Sequence, residues 1–145
     1  MDFKMNFKMN VDTVKHGARI DHLGIACKSL ERSRKLYEML GLKVTDEETI
    51  EQERVRIAMV QMGESRIELL EPIGQDSVIS KFIAKRGEGL HHVALHVEGL
   101  DALVAQLKSN GVKLVKDEVQ IGASGHRYVF IHPSSAGGVL LELCE

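Results

Sequence analysis

Several residue types that mark other classes of protein are scarce in this 145-residue chain. Its two cysteines, Cys27 and Cys144, are too few for a disulfide framework or a cysteine-rich zinc site, so we expect a cytoplasmic location. Aromatic residues make up 4% of the chain and the net charge is -2, so no basic or aromatic surface predicts a nucleic-acid partner. No apolar run is long enough to cross a bilayer, and we expect no membrane partner.

Breaks between domains are also missing from the sequence. Only two prolines, Pro72 and Pro133, and no linker-like segment interrupt it. The content of 43% hydrophobic and 28% charged residues is typical of a globular protein. Residues 1–18 repeat Phe-Lys-Met-Asn without the apolar core of a signal peptide, and we expect them to be a flexible leader. Residues 19–145 are then predicted to form one domain.

An internal repeat with an offset of 70 positions divides this domain into two modules. The offset relates Ile20 to Leu90, Leu30 to Leu100, Gly41 to Gly111 and Lys43 to Lys113. Each copy begins with a strand pattern, continues into a helix that ends at glycine, and finishes with strands. The sequence therefore predicts an α+β fold in which two tandem β-α-β-β-β modules, about 19–75 and 88–145, form one curved mixed sheet around a cleft.

Apolar periodicity and turn residues give approximate positions for the elements. The predicted helices cover about 30–40, 77–85 and 100–109. After the first strand of each module, the predicted strands cover about 42–45, 55–62, 66–71, 112–115, 126–132 and 139–144. Val78 and Val139 are expected to face the protein interior.

Four ligand-type residues occupy matching places in the two modules. His22 and His92 are repeat equivalents on the first strands, and Glu68 and Glu142 lie on the last strands. Each glutamate alternates with apolar neighbours that can cover the helix side, so both carboxylates are predicted to face the cleft. Buried carboxylates need a compensating charge. Two imidazoles and two carboxylates suit one divalent ion of Zn, Co, Ni, Mn or Fe.

The other five histidines give weaker signals. His16 precedes the predicted domain and is expected to be solvated. His91 is expected to be packed or hydrogen-bonded, and His96 to pack on the inward face. His126 and His132 flank the next-to-last strand, and His132 is expected to shape the turn that follows it.

Longer motifs resemble the vicinal oxygen chelate superfamily and, within it, the methylmalonyl-CoA epimerases. The matching segments are Ile20-Asp21-His22-Leu23-Gly24, Ile67-Glu68-Leu69-Leu70-Glu71-Pro72, Gly89-Leu90-His91-His92-Val93-Ala94, Phe130-Ile131-His132-Pro133 and Gly137-Gly138-Val139-Leu140-Leu141-Glu142-Leu143. The resemblance covers nearly all of 19–145. It implies one divalent metal ion per chain on His22, Glu68, His92 and Glu142, and a homodimer. It also implies interconversion of (R)- and (S)-methylmalonyl-CoA, an acyl-CoA substrate, through a metal-stabilised enediolate.

Epimerisation requires removal of a proton from one face of a carbon atom and its return to the other face. We expect Glu142 to act as one base and Glu68 to serve the opposite face. Some epimerases of this family place a second glutamate on the strand before the Glu68 strand, where this chain has Ile57, so the two-base assignment stays open. The candidates for contacts with the CoA phosphates, by charge, are Lys81, Lys85, Arg86 and Arg127.

Three other functions are compatible with the resemblance. A glyoxalase I-type lyase acting on a glutathione or other thiol hemithioacetal uses the same set of two histidines and two glutamates. A ring-cleaving dioxygenase is less favoured, because its iron site has two histidines and one glutamate. A non-catalytic protein that sequesters a small toxic compound is the third alternative, although relatives of that kind often lack part of the ligand set.

Overall fold

Eight strands join into one sheet with three helices against it. The computed structural model describes residues 18–145, so His16 and nearly all of the predicted leader lie outside the described residues. The strands are β1 (Arg19–Ala26), β2 (Glu48–Ile50), β3 (Val55–Met62), β4 (Ser65–Pro72), β5 (Gly89–His96), β6 (Gln120–Ile121), β7 (Arg127–Ile131) and β8 (Leu141–Cys144). The helices are α1 (Leu30–Met39), α2 (Val78–Arg86) and α3 (Leu100–Ser109).

The two modules meet at the centre of the sheet. The strand order is β2-β3-β4-β1-β5-β8-β7-β6, so each module contributes four neighbouring strands. β1 and β5 are antiparallel across the junction, while β4 and β8 run parallel to the first strand of their own module. The repeat offset of 70 holds for β1 and β5 and for α1 and α3, from first residue to last. The predicted fold class is confirmed.

The helices cover the two faces of the sheet unequally. On the outer face, α1 packs through Leu30 against β3 and β4, and α3 packs through Leu100 and Val104 against β7 and β8. The inner face is covered at one end by α2, whose Ile79 joins an apolar cluster with Ala26, Val55, Ile57 and Leu70. The rest of the inner face forms the cleft. Among residues 18–145, no helix is long and apolar enough to span a membrane.

Two short predicted strands are replaced by single bridges. At 42–45 only Val44 pairs, with Val60, and at 112–115 only Leu114 pairs, with Ile131. Alternating apolar residues reflect alternate burial, which an extended segment achieves without continuous strand pairing. The additional strands are instead β2 and β6, which lie at the two edges of the sheet.

The predictions for two valines were wrong. Val78, the first residue of α2, is 69% exposed, and the next residue, Ile79, is the one that enters the core. Val139 is 44% exposed because it precedes β8 and does not share the strand alternation of Leu141 and Leu143. The remaining inward residues of β4 and α3 agree with the predicted pattern.

Candidate metal centre

The structure brings together all four residues that the repeat singled out. Register places them on adjacent strands at the module junction, with Gly24 opposite both Glu68 and His92, and with Ala94 opposite both His22 and Glu142. Partners in a sheet register point to the same face, so the four side chains all lie on the inner face. We call His22, Glu68, His92 and Glu142 the four-residue cluster.

The functional atoms of this cluster face one another at short distances. His22 Nε2 lies 3.1 Å from His92 Nε2 and 3.1 Å from Glu142 Oε2. Glu68 Oε1 lies 3.8 Å from His22 Nε2 and 3.6 Å from His92 Nε2. His22, His92 and Glu142 form the tighter subset, with ligand atoms all within 4.8 Å of one another.

Burial supports a cation at this point. His22, His92 and Glu142 are 3%, 6% and 6% exposed, and the Glu68 side chain is 14% exposed. Glu142 Oε2 is buried and makes no hydrogen bond within the described part of the chain. A buried acceptor without a donor is costly. The donor set of two imidazole nitrogens and two carboxylates therefore fits a divalent transition-metal ion.

Each imidazole is oriented by the residue immediately before it in the sequence. Asp21 Oδ2 lies 2.7 Å from His22 Nδ1 and also accepts a hydrogen bond from Arg66 at 2.8 Å. In the second module, His91 Nδ1 lies 2.9 Å from His92 Nδ1. Engaging Nδ1 leaves Nε2 directed at the cluster, which is the arrangement found around histidine ligands of metals. Asp21 and His91 are themselves repeat equivalents.

Charge is distributed unevenly among the cluster. Burial lowers the pKa of His22, but contacts with Glu142 and Glu68 outweigh it and raise the pKa to about 9. Burial lowers the pKa of His92 to about 4 and raises that of Glu68 to about 7. Burial also opposes ionisation of Glu142, but His126 and His22 hold its pKa at about 2. Protonated His22 thus balances Glu142, and a bound cation can take over that role.

A backbone position without a side chain makes room for one imidazole. A Cβ atom placed on Gly24 would overlap the His92 ring, with Cε1, Nδ1 and Nε2 as its nearest neighbours. Gly24 faces His92 across the β1–β5 pair, so the glycine is needed for the close approach of the ring. Glycine at position 24 is therefore a packing requirement for His92.

The second module contributes further side chains to the cleft. His126 Nε2 lies 3.9 Å from Glu142 Oε1, and its ring stacks on Tyr128. The Tyr128 hydroxyl donates to Glu53 Oε1 at 3.3 Å, a contact that crosses from the second module to the first. Phe130 packs its edge against the His92 ring.

A cavity of about 310 Å³ adjoins the cluster beside His92. Its walls include Phe82 and Arg86 of α2, Leu90 and His91 of β5, and Leu140. The walls are mostly apolar with one cationic group. A cavity of this composition suits an extended ligand that has an apolar part and an anionic part.

The sequence did not predict that His126 lies next to Glu142, and it gave no role to Asp21. His126 immediately precedes β7 and lies within the predicted strand 126–132, so alternation along that strand would have placed it on the same face as Tyr128. Asp21 was detectable as the residue that precedes His22. His91 is hydrogen-bonded as expected, and His132 caps the following turn by accepting from the Ser134 backbone N–H at 3.0 Å.

The fold and the motifs place the chain in a known family. The profile of the glyoxalase/bleomycin resistance protein/dioxygenase superfamily matches residues 21–130, which is more than half of the chain. The chain belongs to this superfamily, also called the vicinal oxygen chelate superfamily. The resemblance inferred from the sequence motifs is thus confirmed for the family.

Particular relatives narrow the comparison to one group of enzymes. Mitochondrial methylmalonyl-CoA epimerase from Bos taurus is 36% identical over 127 residues, covering 86% of this chain and 73% of the bovine protein. A solved methylmalonyl-CoA epimerase in complex with methylmalonyl-CoA and NH4+ matches with a TM-score of 0.81 at 40% identity, covering 88% of this chain and 93% of that one. A hypothetical protein from Bacillus halodurans gives a TM-score of 0.84 at 43% identity, covering 89% and 94%.

Proposed function

We propose that this protein is a metal-dependent epimerase that interconverts (R)- and (S)-methylmalonyl-CoA. The observation that supports this most directly is the four-residue cluster, in which two imidazoles and two carboxylates converge and a buried oxygen of Glu142 accepts no hydrogen bond from the described residues. The relatives in sequence and in structure include methylmalonyl-CoA epimerases, which supports the choice of substrate.

We assign His22, Glu68, His92 and Glu142 as the ligands of one divalent ion. When bound, the ion supplies positive charge that stabilises negative charge developing on substrate oxygen atoms. Asp21 and His91 keep the two imidazoles directed at it, and β1 and β5 fix the separation of the histidines. The identity of the metal does not follow from this ligand set, because all five candidate ions accept it.

Glu142 and Glu68 are the carboxylates that we assign to proton transfer. They belong to β8 and β4, on opposite sides of the histidine pair, so they approach the cleft from two directions. The acidic pKa of Glu142 keeps it ionised near neutral pH, as acceptance of a proton requires. Some epimerases of this family have a second glutamate at the position of Ile57. Here Ile57 is 6% exposed within an apolar cluster, so this position supplies no carboxylate for proton transfer.

The cavity beside His92 is where we place part of the acyl-CoA. Phe82 and Leu90 offer apolar contacts, and Arg86 is the one lysine or arginine among the residues that line the cavity. Arg127 is less suited to phosphate, because Asp101 and Glu145 already accept hydrogen bonds from its guanidinium. Arg86 is therefore the best of the candidates suggested by charge.

One assay separates the proposed activity from its nearest alternative. Metal-loaded protein is incubated in deuterated water with methylmalonyl-CoA and, separately, with methylglyoxal plus glutathione. We expect deuterium at the α-carbon and equilibration of the two epimers, without conversion of the hemithioacetal. Turnover of the hemithioacetal alone would instead establish a glyoxalase I-type lyase, and turnover of neither substrate would contradict both assignments.

The assignment of Glu142 is tested by Glu142→Gln. Loss of the base is expected to slow α-proton exchange by about 10²–10⁴-fold. Glu51→Gln, in the exposed β2–β3 turn, serves as the control and should exchange at the wild-type rate. A Glu142→Gln protein that retains its metal and exchanges at the wild-type rate would contradict the assignment.

A further inference from the structure

A second group of metal-ligating side chains lies on the inner face, at the end of the cleft away from α2. Asp21 is on β1, His96 on β5 and Cys144 on β8, and one ligand atom from each lies within 4.8 Å of the other two. Register places His96 directly opposite Cys144. Asp21 is close to both because it occupies an irregularity in the β1–β5 pairing, between Ile20 and His22.

Ligand atoms in this group are available. The two hydrogen bonds of Asp21 both use Oδ2, so Oδ1 accepts none from the described residues. The His96 imidazole has no hydrogen-bond partner between residues 18 and 145. Cys144 is 1% exposed, and its thiol donates a hydrogen bond to the Leu95 carbonyl oxygen at 3.5 Å, which leaves the sulfur lone pairs unused by the described residues.

Comparison with the first module shows that an imidazole and a thiol are unusual at these positions of the sheet. Ala26 and Leu70 occupy the equivalent places in the first module, at the ends of β1 and β4, and pack with Ile79 of α2. In the second module the same framework positions hold an imidazole and a thiol. Apolar packing beneath a helix therefore does not explain His96 and Cys144, whereas coordination of a cation does.

We propose that Asp21, His96 and Cys144 bind a second divalent cation, of the class to which Zn²⁺ and Co²⁺ belong. One carboxylate, one imidazole and one thiolate form a mixed, partly soft ligand set that favours these ions over Mg²⁺ or Ca²⁺. Metal–ligand bonds are about 2.0–2.3 Å long, which gives a tetrahedral edge of about 3.5 Å. The three ligand atoms lie within 4.8 Å of one another, so side-chain rotation is sufficient to bring them to one ion.

Charged groups near the proposed second site both oppose and favour cation binding. Arg66 lies 2.8 Å from Asp21 Oδ2 and opposes a cation, so the charge of the thiolate is required. The site is therefore selective for ions that bind sulfur strongly, whereas the four-residue cluster contains only nitrogen and oxygen donors.

Cobalt spectroscopy tests the proposal because only the second site contains sulfur. Metal-free protein is titrated with Co²⁺ while the near-ultraviolet sulfur-to-cobalt charge-transfer band and the visible bands are recorded. We expect two equivalents to bind, with the sulfur band accompanying one of them. Cys144→Ala should lose this band and one equivalent, and Cys27→Ala, which removes the cysteine on the outer face, should keep both.

His96→Ala provides an independent test, since it leaves both cysteines in place and should shift or weaken the sulfur band. Wild-type protein that binds two equivalents without a sulfur band, or only one equivalent, would overturn the proposal. A sulfur band that is complete after one equivalent, with no second equivalent, would overturn it as well, because it would assign Cys144 to the first ion. None of these readings depends on epimerase activity.

Discussion

Asp21 illustrates how a residue outside the four-residue cluster can control metal binding by that cluster. Its carboxylate engages His22 Nδ1 at 2.7 Å and is held in turn by Arg66. Removing the charge with Asp21→Asn should weaken metal binding by about 10–100-fold, because the amide holds the imidazole less firmly and no longer pairs with Arg66. Competition with a chromophoric chelator measures the affinity.

Asp46→Asn is the matched control for this variant, because Asp46 is exposed and its charge interacts with Arg34 of α1. An affinity of the Asp21 variant equal to that of the control would show that β1 alone orients His22.

A substitution at Gly24 tests whether the position of the His92 ring controls metal affinity. Gly24→Ala would place a methyl group in the position of the His92 ring, so the imidazole must rotate away. We expect metal affinity to fall at least about tenfold, as for other disturbances around a metal ligand. The reverse change in the other module, Ala94→Gly, should leave affinity nearly unchanged. Isothermal titration calorimetry with the metal ion measures the affinities of both variants. Equal affinities would contradict the argument that Gly24 makes room for the His92 ring.

The residues of the four-residue cluster were predictable from sequence, whereas several of their neighbours were not. Repeat equivalence and strand alternation were sufficient to place His22 and Glu142 on one face. The contact between His126 and Glu142 depends on how strongly the sheet curves, and the contact between Glu53 and Tyr128 depends on the reach of a turn. Neither the curvature of the sheet nor the reach of the turn follows from the periodicity of the sequence.

At the scale of the element, α1 depends on side chains at its first turn. Ser29 Oγ accepts from the Arg32 backbone N–H at 3.2 Å, and Glu71 Oε2 accepts from the Leu30 backbone N–H at 2.9 Å. Ser29→Ala should lower the free energy of unfolding by about 1 kcal/mol, the usual value of such a cap. Urea denaturation of the metal-free protein provides the measurement.

Ser109→Ala is a suitable comparison, since Ser109 is exposed at the last turn of α3 and should have a smaller effect. If both variants unfold at the same urea concentration as the wild type, the Glu71 contact is sufficient to cap α1.

Elements were predicted well where burial and pairing coincide. α3 was predicted from its apolar stripe because Leu100, Leu103, Val104 and Leu107 all pack into the outer core. The segments 42–45 and 112–115 have the same alternation as strands but form one bridge each. β2 and β6 escaped prediction because edge strands of three and two residues provide too few positions for a pattern.

At the scale of the whole molecule, the metal should couple the stabilities of both modules. The four-residue cluster takes one histidine and one glutamate from each module, so a bound ion stabilises only the folded arrangement of the two. At a free ion concentration one hundred times Kd, the gain in the free energy of unfolding is about 2.7 kcal/mol. Thermal melting with and without a chelator should show one transition that shifts as a unit.

A variant that lacks both histidines, His22→Ala with His92→Ala, should show a smaller chelator-induced shift than the wild type, because only the proposed Asp21, His96 and Cys144 site remains. A shift as large as that of the wild type would contradict stabilisation by an ion in the four-residue cluster. The homodimer implied by the family resemblance stays a prediction, and sedimentation equilibrium at several protein concentrations would test it.

The antiparallel contact between β1 and β5 also determines when the protein acquires its chemistry. During synthesis the first module emerges with only His22 and Glu68, His92 follows on β5, and Glu142 arrives with β8. An ion captured early would therefore be held weakly and released. Tight metal binding therefore requires both modules. Two separately expressed modules should regain tight binding only after they reassociate.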